Sequence, residues 1–365
     1  MKVYLVGGAV RDILLGLEPK DKDWVVVGAT EQQILEAGFL KVNASFPVFI
    51  DPKTKDEYAL ARSEKKISQG YHGFEIKHSE CITLEEDLMR RDLTINSIAM
   101  TQDNKLVDPF NGYQDIKDRI LRHTSNAFIE DPLRVVRLAR FMAQLNRFKF
   151  TIATETKTLV KKVVKSDELL HLTKERLNKE FIKSLDNPVI FFKTLDKLDS
   201  LAIVFPNIKK QFHQLPNEYF FDNQQYLSAS VDEKIALCLI NTDEINILRK
   251  ELMLTNKQTK LLSAVINVRK ILENDNITAR EVYYLIKNAN LVRDRELFKQ
   301  TFSIHRKYDS INNSRKQKRI YNLEKAIIKI IELDISETIE KIPKSSLKAE
   351  LERLYIYTIK KLLKI

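Results

Sequence analysis

The sequence predicts an α+β protein, with a small mixed-sheet head followed by an all-α neck, body and tail. Over about residues 1–120, short runs rich in β-branched residues alternate with short helical segments, as in sheets packed against helices. From about residue 121 onward, apolar residues recur at helical spacing. We therefore predict a head over 1–120, a neck over 121–200, a body over 201–300 and a tail over 301–365.

The head begins with two strands, KVYLVGG and DWVVVG, on either side of a short helix, AVRDILLG, that ends at Gly16. Thr30 followed by Gln33 is a capping-box pattern and predicts the start of a second helix, TEQQILEAGF. PVFID and EYALAR are predicted as the next strands, with a turn between Pro52 and Lys55. The polar stretch SEKKISQGYHGFEIKHSE has two glycines and no periodicity, so we predict a mobile loop.

The rest of the chain is predicted to be helical. The periodic segments are DPLRVVRLARFMAQL, ETKTLVKKVV, KERLNKEFIKSL, PVIFFKTLDKL, VDEKIALCLI, EINILRKEL, NKQTKLLSAVINVRKIL, AREVYYLIKNA, LEKAIIKIIEL and SSLKAELERLYIYTIKKLL.

The two cysteines, Cys81 and Cys238, lie far apart and form no metal-binding spacing, which argues against a zinc site or a disulfide framework. The start of the chain lacks the long apolar core of a signal peptide. There is also no run of about 18 apolar residues, so we expect no membrane span. These features predict a cytoplasmic protein, and nothing in the sequence indicates an obligate protein partner.

The net charge of +11 suits a polyanionic partner such as a nucleic acid, although a lysine-rich composition with solvated faces would give the same charge. Residues 301–365 contain 15 Lys and Arg against 8 Asp and Glu. We therefore predict that the tail, and within it the cluster Arg315, Lys316, Lys318 and Arg319, binds RNA.

The first motif with chemical meaning is Gly7-Gly8 followed by Asp21-x-Asp23. If Asp21 and Asp23 share a strand, their carboxylates project from one face and repel each other unless a cation lies between them. Mg²⁺ prefers such oxygen ligands together with substrate phosphates. The glycines allow close approach of a triphosphate to the backbone, and Arg11 adds charge one turn later. A solvated turn and a plain tight turn are the alternatives, but the combination resembles the DNA polymerase beta nucleotidyltransferase superfamily.

The second motif is RRDLTIN, residues 90–96, within LEEDLMRRDLTINSIA. Taken alone it could be a charged helix start. Together with GGAVRD and KDKDW it resembles the class II tRNA nucleotidyltransferase family, and the resemblance extends over roughly residues 1–200. It implies that Gly8, Arg11 and Arg91 contact the triphosphate and that Asp92 and Asn96 face the ribose. DPFNG, residues 108–112, followed by Arg119, corresponds to the family's hinge between head and neck.

The third motif is EDPLRVVRLARF, in which Asp131 and Pro132 predict a helix start and arginines recur at every third position. A basic amphipathic helix is one interpretation. However, a carboxylate and a guanidinium one turn apart can also pair with a base edge, accepting the amine of cytosine or adenine and rejecting uracil and guanine. The resemblance assigns this role to Asp131 and Arg134, and nucleotide binding to Arg137 and Arg140.

The resemblance is to bacterial enzymes of the gammaproteobacterial type, which continue into an HD phosphohydrolase domain. Leu239 and Ile240 stand where the His-Asp doublet is expected, so the HD site is predicted to be absent. The implied activity is template-independent addition of CCA to the 3′ end of tRNA from CTP and ATP, with Mg²⁺ on Asp21 and Asp23. Glu57 is a candidate third carboxylate. The alternatives are an A-adding, CC-adding or poly(A)-adding enzyme of the same fold, and a non-catalytic RNA-binding protein.

Overall fold

A computed structural model describes residues 1–42, 48–66, 74–78, 80–309, 314–333 and 343–364. The chain divides into two compact units. Unit 1 comprises residues 1–180 and 190–204, and unit 2 comprises residues 181–189 and 205–365. Unit 1 contains the sheets, and the described part of unit 2 is helical, so the α+β class is confirmed. The division into head, neck, body and tail stays a prediction.

The main sheet of unit 1 has seven strands in the order β3-β4-β5-β2-β1-β8-β9. Its β2–β5 pair is parallel and its other pairs are antiparallel. The strands of unit 1 are β1 Lys2–Val6, β2 Asp23–Val27, β3 Leu40–Lys41, β4 Val48–Ile50, β5 Glu57–Leu60, β6 Arg62–Lys66, β7 Phe74–His78, β8 Ala99–Met100, β9 Leu106–Val107, β10 Ile120–Leu121 and β11 Thr151–Ile152.

Both faces of this sheet are covered, because successive residues of a strand project to opposite sides. On β2, Val25 packs with Leu88 and Ala99 on one face, whereas Val26 packs with Ile34 and Phe49 on the other. The run DWVVV therefore belongs to a strand buried on both sides. Asp23 shares the face of Val25 and is held at the exposed end of a rigid central strand.

The described helices of unit 1 include six that the sequence predicted and three that it did not, Leu84–Met89, Gly112–Asp118 and Leu201–Val204. They are α1 Gly8–Leu14, α2 Glu31–Glu36, α3 Leu84–Met89, α4 Gly112–Asp118, α5 Leu133–Gln144, α6 Thr154–Lys165, α7 Lys174–Lys183, α8 Pro188–Lys197 and α9 Leu201–Val204, with the last residues of α7 and the first of α8 in unit 2. Thr30 caps α2 in the predicted capping box with Gln33. α5 begins at Leu133, whose backbone N–H donates to Asp131 Oδ1 at 3.0 Å.

The prediction of a loop after EYALAR is wrong in part. Residues Arg62–Lys66 and Phe74–His78 form an antiparallel pair, with Arg62 opposite His78. Arg62–Lys66 is polar throughout, so it has no hydrophobic alternation that would reveal a strand. Phe74–His78 does alternate, at Phe74 and Ile76, but this signal is short and follows two glycines. Residues 67–73 and 79 lie outside the described residues.

Unit 2 packs helices around one another. They are α10 Pro206–Lys210, α11 Gln224–Leu227, α12 Val231–Cys238, α13 Ile245–Glu251, α14 Asn256–Glu273, α15 Ala279–Asn288, α16 Arg295–Asp309, α17 Ser314–Ile331 and α18 Lys344–Leu363. α16 was not among the predicted helices. It contacts α12, α14 and α17 and contributes the fully buried Phe302 and His305.

Candidate active site

The two carboxylates of the DxD motif occupy different local structures. Asp23 is the first residue of β2, opposite Val6, and Asp21 lies in a bend two residues earlier. The assumption that both belong to one strand is therefore wrong. Both side chains are exposed, so a cation and a substrate could reach them.

Glu57 lies beside Asp23, because the parallel β2–β5 register pairs these two residues. Paired residues on neighbouring strands are about 4.8 Å apart and project from the same face. The register thus brings a third carboxylate to this end of the sheet. Among the described residues, no group of three or more His, Cys, Asp or Glu side chains is arranged to hold a metal ion.

The glycine pair lies next to these carboxylates in the fold, between β1 and α1. Gly7 has φ of +71° and ψ of −130°, a conformation that is essentially restricted to glycine. A Cβ atom on Gly7 would lie 2.8 Å from Arg91 Nη1, and one on Gly8 would lie 3.6 Å from Arg11 Nη2. Both guanidinium groups predicted to contact a triphosphate therefore lie against the glycine turn.

Arg91 is held by α3 but keeps part of its donor capacity. Its Nη2 donates to Asp87 Oδ2 at 3.2 Å, while its Nε is buried without a partner among the described residues. Its side chain is 19% exposed. Burial raises the pKa of Asp87, but Arg90 and Arg91 outweigh this effect and lower it overall. An ionised Asp87 holds the Nη2 side of the Arg91 guanidinium group.

A chain of hydrogen bonds connects the glycine turn to α5. Arg11 Nη1 donates to Asn96 Oδ1 at 2.9 Å, and Asn96 Nδ2 donates to Asp92 Oδ1 at 3.1 Å. Arg137 Nε then donates to Asp92 Oδ2 at 2.7 Å. Arg11, Asn96 and Asp92 are buried, so each bond satisfies a group that has little access to water.

The chain continues from α5 to α7. Arg140 Nε lies 2.5 Å from Glu180 Oε2, and Arg137 Nη1 lies 3.8 Å from Glu180 Oε1. The buried Phe141 ring has the guanidinium carbons of Arg140, Arg11 and Arg137 at 4.0, 5.4 and 5.7 Å from its centre. We refer to Arg11, Asn96, Asp92, Arg137, Arg140 and Glu180 as the Asp92 network.

Asp92 is ionised at the centre of this network. Burial alone would raise the pKa of Asp92, but the attraction of Arg137, the hydrogen bond from Asn96 and the charge of Arg140 together lower it well below its usual range. The negative charge of Asp92 in turn raises the pKa of Arg137 against the effect of burial. Arg137 and Arg140 are therefore largely committed to carboxylates.

The pair predicted to read the base, Asp131 and Arg134, has other partners in this structure. Both Asp131 oxygens accept from Arg176 Nη2, at 2.9 and 3.1 Å. Arg134 donates to the carbonyl oxygens of Ala127 at 2.8 Å and of Arg90 at 2.5 Å. Asp131 and Arg176 keep 20% and 21% of their side-chain surface exposed. Asp131 lies just before α5 and Arg134 lies in its first turn, and the two side chains do not pair with each other.

Arg176 and Glu180 were not predicted as site residues. They are four positions apart in KERLNKEF, which places both on one face of α7. Opposite charges at this spacing usually pair along their own helix. Here Arg176 binds Asp131 and Glu180 binds Arg140 instead, so α7 is joined to the EDPLR motif at two points.

The DPFNG turn has a precise packing role. Asp108 accepts hydrogen bonds from the backbone N–H groups of Gly112 and Tyr113, both at 2.8 Å, and so caps α4. A Cβ atom on Gly112 would lie 2.1 Å from the backbone oxygen of Thr94. The glycine therefore allows α4 to contact the RRDLTIN segment directly.

The segment predicted to lack an HD site is part of the core of unit 2. Leu239 and Ile240 are fully buried at the end of α12. His305, on α16, is also buried, and its Nε2 lies 3.0 Å from the backbone oxygen of Val265. These contacts are structural, and the described residues of unit 2 contain no cluster of possible metal ligands.

Comparison with known proteins defines the class of this fold and site. A family model described as "Poly A polymerase head domain" matches residues 3–122, and one described as "Probable RNA and SrmB- binding site of polymerase A" matches residues 149–212. The CCA-adding enzyme from Bacillus stearothermophilus, solved in complex with CTP, has the same fold, with a TM-score of 0.72 and 21% identity over 98% of this chain and 89% of that one. The chain is thus a nucleotidyltransferase with a poly(A) polymerase head.

The particular family follows from sequence identity. The chain is 57% identical to the CCA-adding enzyme of Francisella tularensis subsp. novicida over 100% of both sequences. It is 44% identical to the multifunctional CCA protein of Haemophilus influenzae, over 82% of this chain and 70% of that protein. The chain belongs to the class II bacterial CCA-adding enzymes, so the resemblance noted above is confirmed. The A-adding, CC-adding and poly(A)-adding alternatives are not favoured. No helix among the described residues is long and apolar enough to cross a membrane.

Proposed function

We propose that this chain adds CCA to the 3′ end of tRNA from CTP and ATP, using the end of β2 and the glycine turn as its reaction centre. The 3′ hydroxyl oxygen of the tRNA bonds to the α-phosphorus of the nucleotide. The bond from that phosphorus to the pyrophosphate breaks, and the hydroxyl proton passes to solvent. The whole-chain identity to a CCA-adding enzyme is the observation that carries this proposal.

Asp21 and Asp23 are the proposed metal ligands, with Glu57 as the third carboxylate. Nucleotidyltransferases of this kind use divalent metals. The donor set of exposed carboxylate oxygens suits Mg²⁺, a hard cation that prefers oxygen. When bound, the ion favours loss of the hydroxyl proton and neutralises charge on the phosphates. The β2–β5 register supports Glu57, because it brings that residue beside Asp23.

Arg91 and the glycine pair bind the triphosphate in this proposal. The exposed part of the Arg91 guanidinium group leaves donors for phosphate oxygens. The absence of side chains at Gly7 and Gly8 allows phosphate to approach the backbone. Arg11 adds positive charge but is partly neutralised by Asp12, to which it donates at 2.7 Å.

Asp92 and Asn96 face the ribose, and the Asp92 network holds them in position. Asp92 already accepts from Arg137, so its orientation is fixed before the nucleotide binds. Preorganised groups of this kind cost no rearrangement during reaction. Arg137 and Arg140 are thus proposed to act on the nucleotide mainly by positioning other groups.

Base selection is proposed for Asp131 and Arg134. Asp131 can accept the exocyclic amine of cytosine or adenine, and Arg134 can donate to the adjacent ring nitrogen. Each has a partner that a base would have to share or replace, Arg176 for Asp131 and two backbone carbonyls for Arg134. The Asp131 side chain is partly exposed, which supports the proposal that a nucleotide base can reach its carboxylate.

The test is nucleotide addition to tRNA transcripts that end before CCA, after C and after CC, with labelled CTP or ATP and Mg²⁺. The full sequence should be completed in each case. Asp23→Asn should reduce addition by at least about 10³-fold while leaving tRNA affinity within about twofold, since it removes a metal ligand and not an RNA contact. Glu18→Gln is the matched control on the same loop. Addition by Asp23→Asn within tenfold of wild type would contradict the metal assignment.

The location of the protein and the RNA-binding role of the tail also remain proposals. The two distant cysteines support a cytoplasmic location. For the tail, the proposal rests on the excess of basic residues over 301–365.

A further inference from the structure

Asp87 of α3 is a carboxylate that the proposed reaction does not use, although its side chain is fully buried. A buried carboxylate is costly unless it is paired and hydrogen-bonded. Asp87 accepts four hydrogen bonds, from the backbone N–H of Arg62, from Nε and Nη2 of Arg90, and from Nη2 of Arg91. These contacts are divided between its two oxygens.

The Oδ1 atom of Asp87 attaches the start of β6 to α3. It accepts from the backbone N–H of Arg62 at 3.3 Å and from Arg90 Nη2 at 2.7 Å. Arg90 Nε also donates to the backbone oxygen of Arg62 at 3.2 Å, so both polar backbone groups of Arg62 have partners where the chain passes from β5 to β6. The contacts of Oδ1 are therefore explained by a structural role.

The Oδ2 atom has a different neighbour. It accepts from Arg91 Nη2 at 3.2 Å, and Asp87 is the only hydrogen-bond or ion-pair partner of the Arg91 side chain among the described residues. Arg91 Nη1 lies against the glycine turn, 2.8 Å from the place of a Cβ atom on Gly7. Because the guanidinium group is planar and rigid, holding Nη2 also sets the direction of Nη1.

Arg11, the other arginine at the glycine turn, is held in a different way. Its Nε and Nη2 donate to Asp12 Oδ1 at 2.9 and 2.7 Å, and its Nη1 donates to Asn96 Oδ1 at 2.9 Å. All three of its nitrogens are thus engaged by two residues, whereas the orientation of the Arg91 guanidinium group depends on one carboxylate oxygen.

We infer that Asp87 is a positioning residue for nucleotide binding, whose Oδ2 orients the Arg91 guanidinium group toward the triphosphate at the glycine turn. This inference rests on the proposed function and adds a residue that does not itself touch the nucleotide. A side chain that is already held in its binding orientation loses less conformational entropy when the ligand binds.

The experiment measures equilibrium binding of labelled CTP and ATP with Mg²⁺, and competition of each by tripolyphosphate. Asp87→Asn is isosteric, and its amide oxygen can take the place of Oδ1 and keep the contacts with Arg62 and Arg90. Its amide nitrogen then replaces Oδ2, so a donor faces the donor of Arg91. Arg90→Gln is the matched control, because it removes the other ion pair of the same carboxylate and leaves Arg91 unchanged.

Asp87→Asn should weaken the binding of CTP, ATP and tripolyphosphate by similar factors, on the order of tenfold, because a charge-assisted hydrogen bond to phosphate is misdirected. The factors should be similar because the three ligands share their phosphates and not a base. Arg90→Gln should lower the melting temperature, while its affinity for CTP stays within about threefold of wild type.

A double-mutant cycle tests whether Asp87 acts through Arg91. The double variant Asp87→Asn, Arg91→Gln should bind CTP within about twofold of Arg91→Gln alone, because the two changes remove the same contact. Arg91→Lys tests the same point with Asp87 intact. It keeps the charge but replaces the planar group by a compact ammonium, which cannot pair with Oδ2 and reach the glycine turn together, so it should also lose about tenfold.

Additive losses in the double variant would overturn the inference, and so would wild-type affinity for CTP in Arg91→Lys. An equal loss of affinity in Arg90→Gln and Asp87→Asn would also overturn it, since Asp87 would then act only through the stability of its surroundings. A wild-type protein that binds CTP but fails to extend tRNA would refute the proposed function, whereas the binding measurements test the role of Asp87 separately.

Discussion

Both units bury arginine–carboxylate pairs, but they use them differently. In unit 1, the Asp92 network links α1, the RRDLTIN segment, α5 and α7, and it ends at the glycine turn. In unit 2, Arg269 of α14 donates to Asp309 of α16 at 3.0 Å and lies 4.7 Å from the Tyr308 ring, which joins two helices of a core. A buried pair alone is therefore no sign of a site. What distinguishes unit 1 is a chain of pairs that leads to partly exposed donors.

The largest expected effect comes from breaking each pair with an isosteric change, Asp92→Asn in unit 1 and Asp309→Asn in unit 2. Asp92→Asn removes the nearest carboxylate of the partly exposed Arg137. Asp309→Asn removes one of the two carboxylates of the buried Arg269, which keeps Glu273 at 2.5 Å. Each change therefore costs less than the full loss of a buried pair, which is up to about 3–5 kcal/mol of unfolding free energy. Only Asp92→Asn should also reduce kcat, on the order of 100-fold, because small misplacements of nucleotide-binding groups are costly.

Urea unfolding and steady-state kinetics below the transition of either variant would check this difference. An equal loss of kcat in the two variants would show that the Asp92 network acts on activity only through stability. Retained kcat in Asp92→Asn would remove the ribose-facing segment from the proposed mechanism.

A smaller effect is expected from alanine at the two glycines of the turn. Gly7→Ala requires a backbone conformation that costs on the order of 1–3 kcal/mol and brings a Cβ atom to 2.8 Å from Arg91 Nη1. Gly8→Ala meets only an ordinary contact at 3.6 Å. Gly7→Ala should therefore lower the melting temperature and weaken nucleotide binding, and thermal melts with and without CTP would show it. Equal melting temperatures for the two variants would contradict the strain at Gly7.

The two units should also differ in the pH range over which their buried groups contribute to the free energy of unfolding. Burial lowers the pKa of His305 from 6.5 to about 3, so between these values the unfolded chain binds a proton that the native chain does not. Stability contributed by neutral His305 is complete above pH 6.5 and falls by up to about 1.4 kcal/mol per pH unit below it. The contribution of Asp92 is lost only at lower pH. The pKa of Asp92 is lowered in the native state, so only below about its usual value of 3.8 does the unfolded chain bind a proton there that the native chain does not.

Urea unfolding of wild type and His305→Gln at pH 7.5 and pH 5.0 would measure this contribution. The wild type should lose about 2 kcal/mol more than the variant between the two pH values. His213→Gln, at an exposed position, is the control and should follow the wild type. Identical pH dependence in wild type and His305→Gln would show that His305 is not held neutral.

The sequence predicted most helices and the central strands because their apolar periodicity is local. It could not predict the contacts of Arg176, because its partner Asp131 is 45 positions away, in the segment just before α5. It also missed β6, which is polar and has no alternation to detect, and β7, whose alternation is limited to Phe74 and Ile76. Asp21 was assigned to a strand because i, i+2 spacing is compatible with a strand, whereas ladder pairing begins only at Asp23. Local pattern thus identifies candidate residues, and the partners of each residue depend on the tertiary fold.

The smallest effect concerns the tail, where the structure separates residues that the sequence grouped together. Arg319 donates to the backbone oxygens of Ile271 and Asn274, both at 2.9 Å, and pairs with Asp275. Lys318 is exposed and has no partner among the described residues. The side chain of Arg315 lies outside the described residues.

The matched variants are therefore Lys318→Gln and Arg319→Gln. If the tail contacts tRNA, Lys318→Gln should reduce the log–log salt slope of binding by about 0.7–0.9 with no change in melting temperature. Arg319→Gln should instead cost about 1–2 kcal/mol of unfolding free energy, because two backbone oxygens lose a charged donor. Its salt slope should match that of wild type, since its charge is already shared with Asp275. A reduced slope in Arg319→Gln with unchanged stability would restore Arg319 to the RNA-binding cluster, and unchanged slopes in both variants would remove this part of the tail from the tRNA interface.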